Sequence, residues 1–287
     1  MQVGNAWFLK PVAEMSATEF SDWCQLLEAR LGMVLTETRR TFLQVNLTAR
    51  MRELGITSYA DYYSKVLDGP SAAIEWEALF DKLTVQETQF FRHPPSYDFV
   101  ARHLRKILRA RTPSSPLTLW SLGCATGEET WSLGMLASEV LEEQEDKCGL
   151  ALTATDISNA ALKTARVGMY TSRRLKMVPQ TLVEKYFTAT TANQFVVNDS
   201  LKQRVCFARL NALELATAPL SGMDIIFCQN LLIYFRRWQR REILNQLARR
   251  LAPGGALVIG LGEITDWSHP SLKQVDNEQV LAFTRVG

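Results

Sequence analysis

Carboxylates grouped around a glycine loop carry the first chemical signal in this chain. Leu117 to Glu129 reads LTLWSLGCATGEE: an apolar strand to Leu122, a loop from Gly123 to Gly127, and a helix from Glu128 through Trp131, Leu133, Leu136 and Val140. Glycines allow a sharp turn and close approach of main chain to a ligand, and a helix start offers unpaired N–H groups. Phosphate fits poorly, because Glu128 and Glu129 follow the last glycine and no Lys-Ser or Lys-Thr pair is present. Acids there suit ribose hydroxyls and cations. S-adenosylmethionine, with its sulfonium and ammonium, therefore fits better than ATP or a dinucleotide. A further acid, Asp156, closes the apolar run Leu150 to Thr155. It either takes a ribose hydroxyl pair or caps the helix predicted over Ser158 to Val167.

A sheet must bring these residues together. The alternation of strands and helices from Leu117 onward predicts an α/β domain over residues 117–287, with a doubly wound, mostly parallel sheet. Met223 to Cys228 is a buried strand stopping at Gln229-Asn230, followed by Leu231 to Phe235 and a helix from Arg236 to Leu251. Pro253-Gly254-Gly255 ends that helix and starts a strand from Ala256 to Gly260, and Val280 to Val286 supplies a last strand. Between them, Val183 to Thr188, Gln194 to Asn198 and Arg204 to Leu210 read as short extended runs. They predict a small antiparallel β insert at about 180–208, its last run rejoining the main sheet and ending at Asn211. Gly123, Glu128, Asp156, Asn211 and Asn230 then all fall at strand ends along one edge.

Upstream, residues 1–82 predict a small all-α domain, with helices from Thr18, over Glu37 to Leu54, over Thr57 to Leu67 and over Ile74 to Leu83. Arg39, Arg40, Arg50 and Arg52 make the second helix basic, either as a solvated face or as a docking surface for an acidic partner. Residues 83–116 form a junction and linker. They hold the stretch Thr84 to Arg92, a break at His93-Pro94-Pro95, an amphipathic helix from Tyr97 to Ala110 and the polar run Thr112 to Pro116.

The whole chain narrows the classes further. Of 287 residues, 47% are hydrophobic, enough for a substantial core, and a formal charge of +2 gives no bulk attraction to nucleic acid. Five scattered cysteines form no C-x-x-C pair, which argues against zinc or a disulfide framework and for a reducing, cytoplasmic setting. No targeting segment or apolar run of membrane-spanning length is present, so a cytoplasmic monomer without membrane insertion is expected.

Taken together, T-x-F-F-R (Thr88 to Arg92), G-C-A-T-G-E-E (Gly123 to Glu129), A-T-D-I (Ala154 to Ile157), A-R-x-G-x-Y (Ala165 to Tyr170), F-C-x-N-x-x-I-Y-F (Phe227 to Phe235) and P-G-G (Pro253 to Gly255) resemble the CheR-type chemotaxis receptor methyltransferases, protein-glutamate O-methyltransferases, over nearly the whole chain. The resemblance implies that Thr88 and Arg92 close over S-adenosylmethionine, with Gln86, where the family has Asn, contacting it as well. Gly123, Glu128 and Asp156 would hold its loop side and polar groups; Asn211, Ala212, Asn230 and Leu231 would line its adenine and methionine side. Arg92 and Tyr234 would face the incoming glutamate of a chemoreceptor's cytoplasmic helical domain, docked on Arg39, Arg40, Arg50 and Arg52, and S-adenosylhomocysteine would be the product.

This chemistry suits the residue inventory. A glutamate side chain, with a pKa near ~4.3, is already an anion at neutral pH, so attack on a sulfonium methyl needs no general base and no histidine. The task is alignment, for which Arg92 and Tyr234 are suited. A methyltransferase for a small molecule or RNA and a non-catalytic cofactor sensor are the competing classes. Family members that tether to a receptor's C-terminal pentapeptide have a longer, glycine-bearing connection in the insert. Here Thr188 to Asn193 is shorter and has no glycine, so a pentapeptide-independent enzyme is expected.

Overall fold

The computed structural model describes residues 14–84, 87–110, 115–145 and 148–286. The chain divides into two units, 1–85 and 86–287.

Among its described residues the first unit holds four α-helices: α1 (Ala17–Leu31), α2 (Arg40–Leu54), α3 (Tyr59–Leu67) and α4 (Ala72–Leu83). Ser16 and Glu19 close a reciprocal capping box at the start of α1, and Gly32 ends it in the left-handed conformation. Trp23, Leu27, Leu43, Leu47, Met51, Tyr62, Val66 and Leu79 are buried, as their three- and four-residue spacing requires. One ionic group lies among them. The Arg50 guanidinium grips Glu75 through both its Nε (2.9 Å) and Nη2 (2.8 Å), and the Tyr62 hydroxyl donates to the same carboxylate at 2.7 Å. Burial works against the Glu75 charge, but the hydrogen bonds from Arg50 and Tyr62 override it and hold the carboxyl below its usual range.

Two of the four arginines expected to form a docking face have partners within the unit. Arg50 is a strut across α2 and α4, tied also to Glu53 at 2.8 Å. Arg40 pairs with Glu37, donates to the Met15 carbonyl and sits over the Phe20 ring. Arg39 and Arg52 are exposed. Spacing along one helix shows which residues share a face; it does not show that an acid 25 residues later will claim one of them.

The second unit begins with α5 (Pro94–Ala110), followed by β1 (Leu117–Leu122), α6 (Glu128–Glu143), β2 (Leu150–Asp156) and α7 (Asn159–Val167). Pro94 and Pro95 occupy the first turn of α5, where a missing N–H costs nothing, so the expected break is a helix start. The chain continues through β3 (Met169–Thr171), α8 (Gln180–Tyr186), β4 (Phe187–Thr191), β5 (Gln194–Val197), α9 (Asp199–Lys202) and β6 (Val205–Arg209). It closes with β7 (Met223–Cys228), α10 (Arg237–Arg250), β8 (Leu251–Ile259), β9 (Leu272–Gln274) and β10 (Leu281–Arg285).

The main sheet has the order β6-β2-β1-β7-β8-β10-β9; its first five strands are parallel, and β10 runs antiparallel to both of its neighbours, β8 and β9. Chain order runs outward from β1 through β2 to β6, then returns to β7, so the topological switch lies between β1 and β7. Leu117 and Leu119 of β1 face a core shared with α5 and α6, while Trp120 and Leu122 face one shared with α10. The period-2 alternation thus covers both faces of the sheet.

The insert differs from its expected form. Val183 to Tyr186 is helical, because Val183 and Tyr186, three residues apart, are buried on one side of α8 after Pro179. Its sheet, ordered β3-β5-β4, takes its first strand from Met169–Thr171, upstream of the expected boundary. Three residues are too few for periodicity to reveal a strand.

Candidate active site

The loop after β1 is built by backbone bonds to the neighbouring strand. The Gly123 and Cys124 amides both donate to the Thr155 carbonyl, at 2.8 and 3.0 Å. The Ala125 amide donates to Asp156 Oδ2 at 2.8 Å, and the Ser158 amide to Oδ1 at 2.9 Å. Ser158, whose hydroxyl accepts from the Ala161 amide, is the cap of α7. Asp156 therefore bridges the glycine loop and the approach to α7. At Gly123, φ is +80°, and an added Cβ would stand 3.1 Å from the Leu231 side chain, so the loops after β1 and β7 touch across the switch point. Gly127, at φ +97°, starts α6 with no room for a side chain: a Cβ would fall 2.8 Å from that of Ala165 and 2.9 Å from the Tyr170 hydroxyl. Tyr170 in turn donates to the Thr126 carbonyl at 2.6 Å. Ala165 and Tyr170 of the A-R-x-G-x-Y motif thus support the loop from behind.

Of the two acids that begin α6, Glu128 is the more deeply buried. Its side chain is 1% exposed and ion-paired with Arg174 at 2.7 Å, and it also accepts from the Thr126 hydroxyl. Burial pushes the Glu128 carboxyl up from its usual range, with Thr126 and Arg174 pulling back. Arg174 also donates to the Thr88 carbonyl at 3.1 Å, so Glu128 anchors the insert and the Thr88 segment. Glu129, one residue on, takes a 2.7 Å hydrogen bond from Ser121 and shares the field of Glu263, Asp156 and Arg92. Burial, reinforced by Glu263 and Asp156 and opposed by Ser121 and Arg92, pushes its carboxyl up to about 8.

Arg92 is exposed and donates to the Glu87 carbonyl at 2.9 Å. The two aromatics before it set its place. Phe90 is fully buried, edge-on to Tyr170 and Phe187. Phe91 stands at φ +49° and donates its amide to the Ser132 hydroxyl, a strained conformation held by its neighbours. Asn230, exposed at φ +59°, leads into Leu231 and Tyr234, both partly exposed. Asn211 follows β6, whose Arg209 pairs with Asp156, and its side-chain oxygen accepts from the Leu213 amide while Ala212 is buried. Gln86 lies outside the described residues. Burial pushes the Cys124 and Cys228 thiols well up, so neither offers a thiolate nucleophile.

Two carboxylates carry roles that sequence reasoning missed: Glu129 beside the loop, and Glu263, which holds the turn after β7. Glu129 was visible as half of an acidic pair, and Glu263 as an acid just past the end of a buried strand. Asp156 and Glu129 beside a main chain without Cβ at Gly123 fit a ligand that brings positive charge and hydroxyls, and resist phosphate. The doubly wound, mostly parallel sheet with its glycine loop at the switch point has the class I S-adenosylmethionine methyltransferase-like architecture.

The comparisons with known proteins narrow this. Residues 18–84 match "CheR methyltransferase, all-alpha domain" and residues 86–280 match "CheR methyltransferase, SAM binding domain". A chemotaxis protein methyltransferase of Escherichia coli K12 is 31% identical over 258 residues, covering 89% of this chain and 86% of that one. One from Klebsiella aerogenes is 31% identical over 252 residues, covering 87% and 84%, and one from Borreliella burgdorferi is 28% identical over 250, covering 85% and 87%. The chain belongs to the CheR methyltransferase family. Among the described residues, no helix is long and apolar enough to cross a membrane.

Proposed function

We propose that this protein transfers the methyl group of S-adenosylmethionine to glutamate side chains in the cytoplasmic helical domain of a chemoreceptor. The observation that carries the reading is the pair of carboxylates Asp156 and Glu129 beside the glycine loop, with Arg92 in their field. The bound cofactor supplies an electrophilic methyl on a cationic sulfur. Asp156 takes the ribose hydroxyls, and Glu129, in the role first expected of Glu128, takes the ammonium side. Asn211, Ala212, Asn230 and Leu231 line the remaining faces, Thr88 and Arg92 close over it, and Gln86 adds a contact by family resemblance. Arg92 and Tyr234 orient the incoming carboxylate, which needs no base.

Receptor docking falls to Arg39 and Arg52, exposed on the helical unit, in a monomeric cytoplasmic enzyme. The insert supports a pentapeptide-independent mode. The expected six-residue connection is shorter still, because Thr188 to Thr191 belong to β4 and only Ala192 and Asn193 join it to β5. The Asn193 carbonyl is also held by the Ser172 amide at 3.1 Å. A tight, pinned turn leaves little freedom to open a groove. The decisive experiment is radiolabel transfer from S-adenosylmethionine to a receptor fragment. Label that leaves as volatile methanol in mild alkali identifies a carboxyl ester; alkali-stable label or none defeats the reading. Titration with a receptor-tail pentapeptide tests the finer point, which micromolar binding at residues 187–197 would overturn.

A further inference from the structure

The turn after β7 is gripped by two charged side chains of opposite sign. Glu263 is 1% exposed. Its Oε2 accepts the amides of Asn230 and Gly260, each at 2.9 Å, and its Oε1 accepts the Ile233 amide at 3.3 Å. From the other side Arg240 donates to the carbonyls of Phe235 (2.8 Å), Ile233 (3.3 Å) and Glu263 itself (2.8 Å). Leu232 and Phe235 are buried beneath the turn, while Asn230, Leu231 and Tyr234 are left toward its open side. A buried carboxylate accepting several backbone amides in place of water is a strong clamp. It fixes Asn230 at φ +59°, a left-handed conformation that asparagine tolerates better than most other side chains. Gly260 has the complementary feature. An added Cβ there would run into the Glu263 carboxylate, 2.9 Å from its Cδ.

We propose that Glu263 is a positioning residue: its carboxylate fixes the turn from Asn230 to Tyr234 so that Asn230 and Leu231 meet the cofactor in one geometry. This rests on the methyltransferase reading above. Glu263 acts through the backbone of its neighbours, and its substitution changes binding before it changes chemistry.

Two variants test it by different routes. Glu263→Gln replaces one accepting oxygen with an amide group that faces backbone donors. Gly260→Ala keeps the charge and displaces the carboxylate; Gly260 is not at positive φ, so alanine acts there through the clash and not through backbone strain. In the ligand-free protein, amide hydrogen exchange at Asn230 and Ile233 is expected to quicken in both. Calorimetry with S-adenosylhomocysteine is expected to show about 10- to 100-fold weaker binding, the scale of a lost charge-assisted hydrogen bond. KM for the cofactor should rise in parallel, by a larger factor than kcat falls. The double variant should lose less than the sum of the two, since both break one clamp. Wild-type exchange and affinity in a folded Glu263→Gln protein would overturn the proposal, as would lower thermal stability with unchanged affinity. Should Glu263→Gln not fold, Gly260→Ala decides by the same readouts. A wild-type protein that binds neither S-adenosylmethionine nor its product overturns the methyltransferase reading itself, a result distinct from variants that match a binding-competent wild type.

Discussion

Glu129 should make cofactor binding depend on pH in a window where few carboxylates titrate. With its carboxyl pushed up to about 8 by burial beside Glu263 and Asp156, the ligand-free protein holds it mostly neutral at pH 7. A cation-bearing ligand needs the ionised form, so binding must expel the proton. If only the ionised form binds, affinity falls about tenfold for each pH unit below 8, reaching about 100-fold at pH 6 relative to the alkaline plateau. The sign for folding is opposite. A carboxyl whose pKa is raised in the fold contributes stability that is present below the ordinary carboxyl range and is lost as pH rises through about 8. The ligand-free protein should therefore lose stability between pH 5 and 8 while affinity climbs. Calorimetry with S-adenosylhomocysteine at pH 6, 7 and 8, in two buffers of different ionisation heat, measures both the affinity and the protons released. Glu129→Gln should bind weakly at every pH and release no proton from this site, and it carries whatever slope the ligand itself contributes. A wild-type affinity that is flat from pH 6 to 8, or an undiminished slope in Glu129→Gln, would refute the reasoning.

Asp156→Ala should weaken S-adenosylhomocysteine binding about 10- to 100-fold by calorimetry, at a stability cost of about 1–2 kcal/mol, because Ser158 still caps α7. Arg50→Ala, which strands buried Glu75, should destabilise the helical unit by about 3 kcal/mol in denaturant unfolding, the low end for a broken buried pair because the guanidinium is 21% exposed. The double variant Arg39→Glu with Arg52→Glu should instead leave unfolding unchanged and slow methylation of a receptor fragment, with the wild-type rate falling as salt is raised. Gly127→Ala, forced to φ +97° against Ala165, should cost about 1–3 kcal/mol and lower the thermal midpoint.

The strand ends were legible because buried parallel strands are continuous apolar runs, and an acid or amide closing one marks the ligand edge. Asp156 and Asn230 stand there for that reason, whereas Asn211 follows the half-exposed edge strand β6. Adjacent acids at a helix start are another matter: Glu128 and Glu129 differ by a rotation of about 100°, and only the packed insert decides which one Arg174 claims. The Arg50–Glu75 pair and the Glu263 clamp were invisible for a related reason. Each joins residues roughly 25 to 35 positions apart, beyond the reach of local periodicity.

Tyr170 belongs to the insert's first strand, yet its hydroxyl holds the Thr126 carbonyl in the cofactor loop, and Ala165 fills the space that Gly127 leaves. The insert is therefore not a cassette. A chimera that exchanged only residues 180–208 for those of another family member would join a foreign β4 and β5 to the native β3, splitting one sheet between two ancestries. The natural graft point lies in α7 before Ala165, and a transplant made there carries the back wall of the methyl-donor site along with the specificity of its new owner.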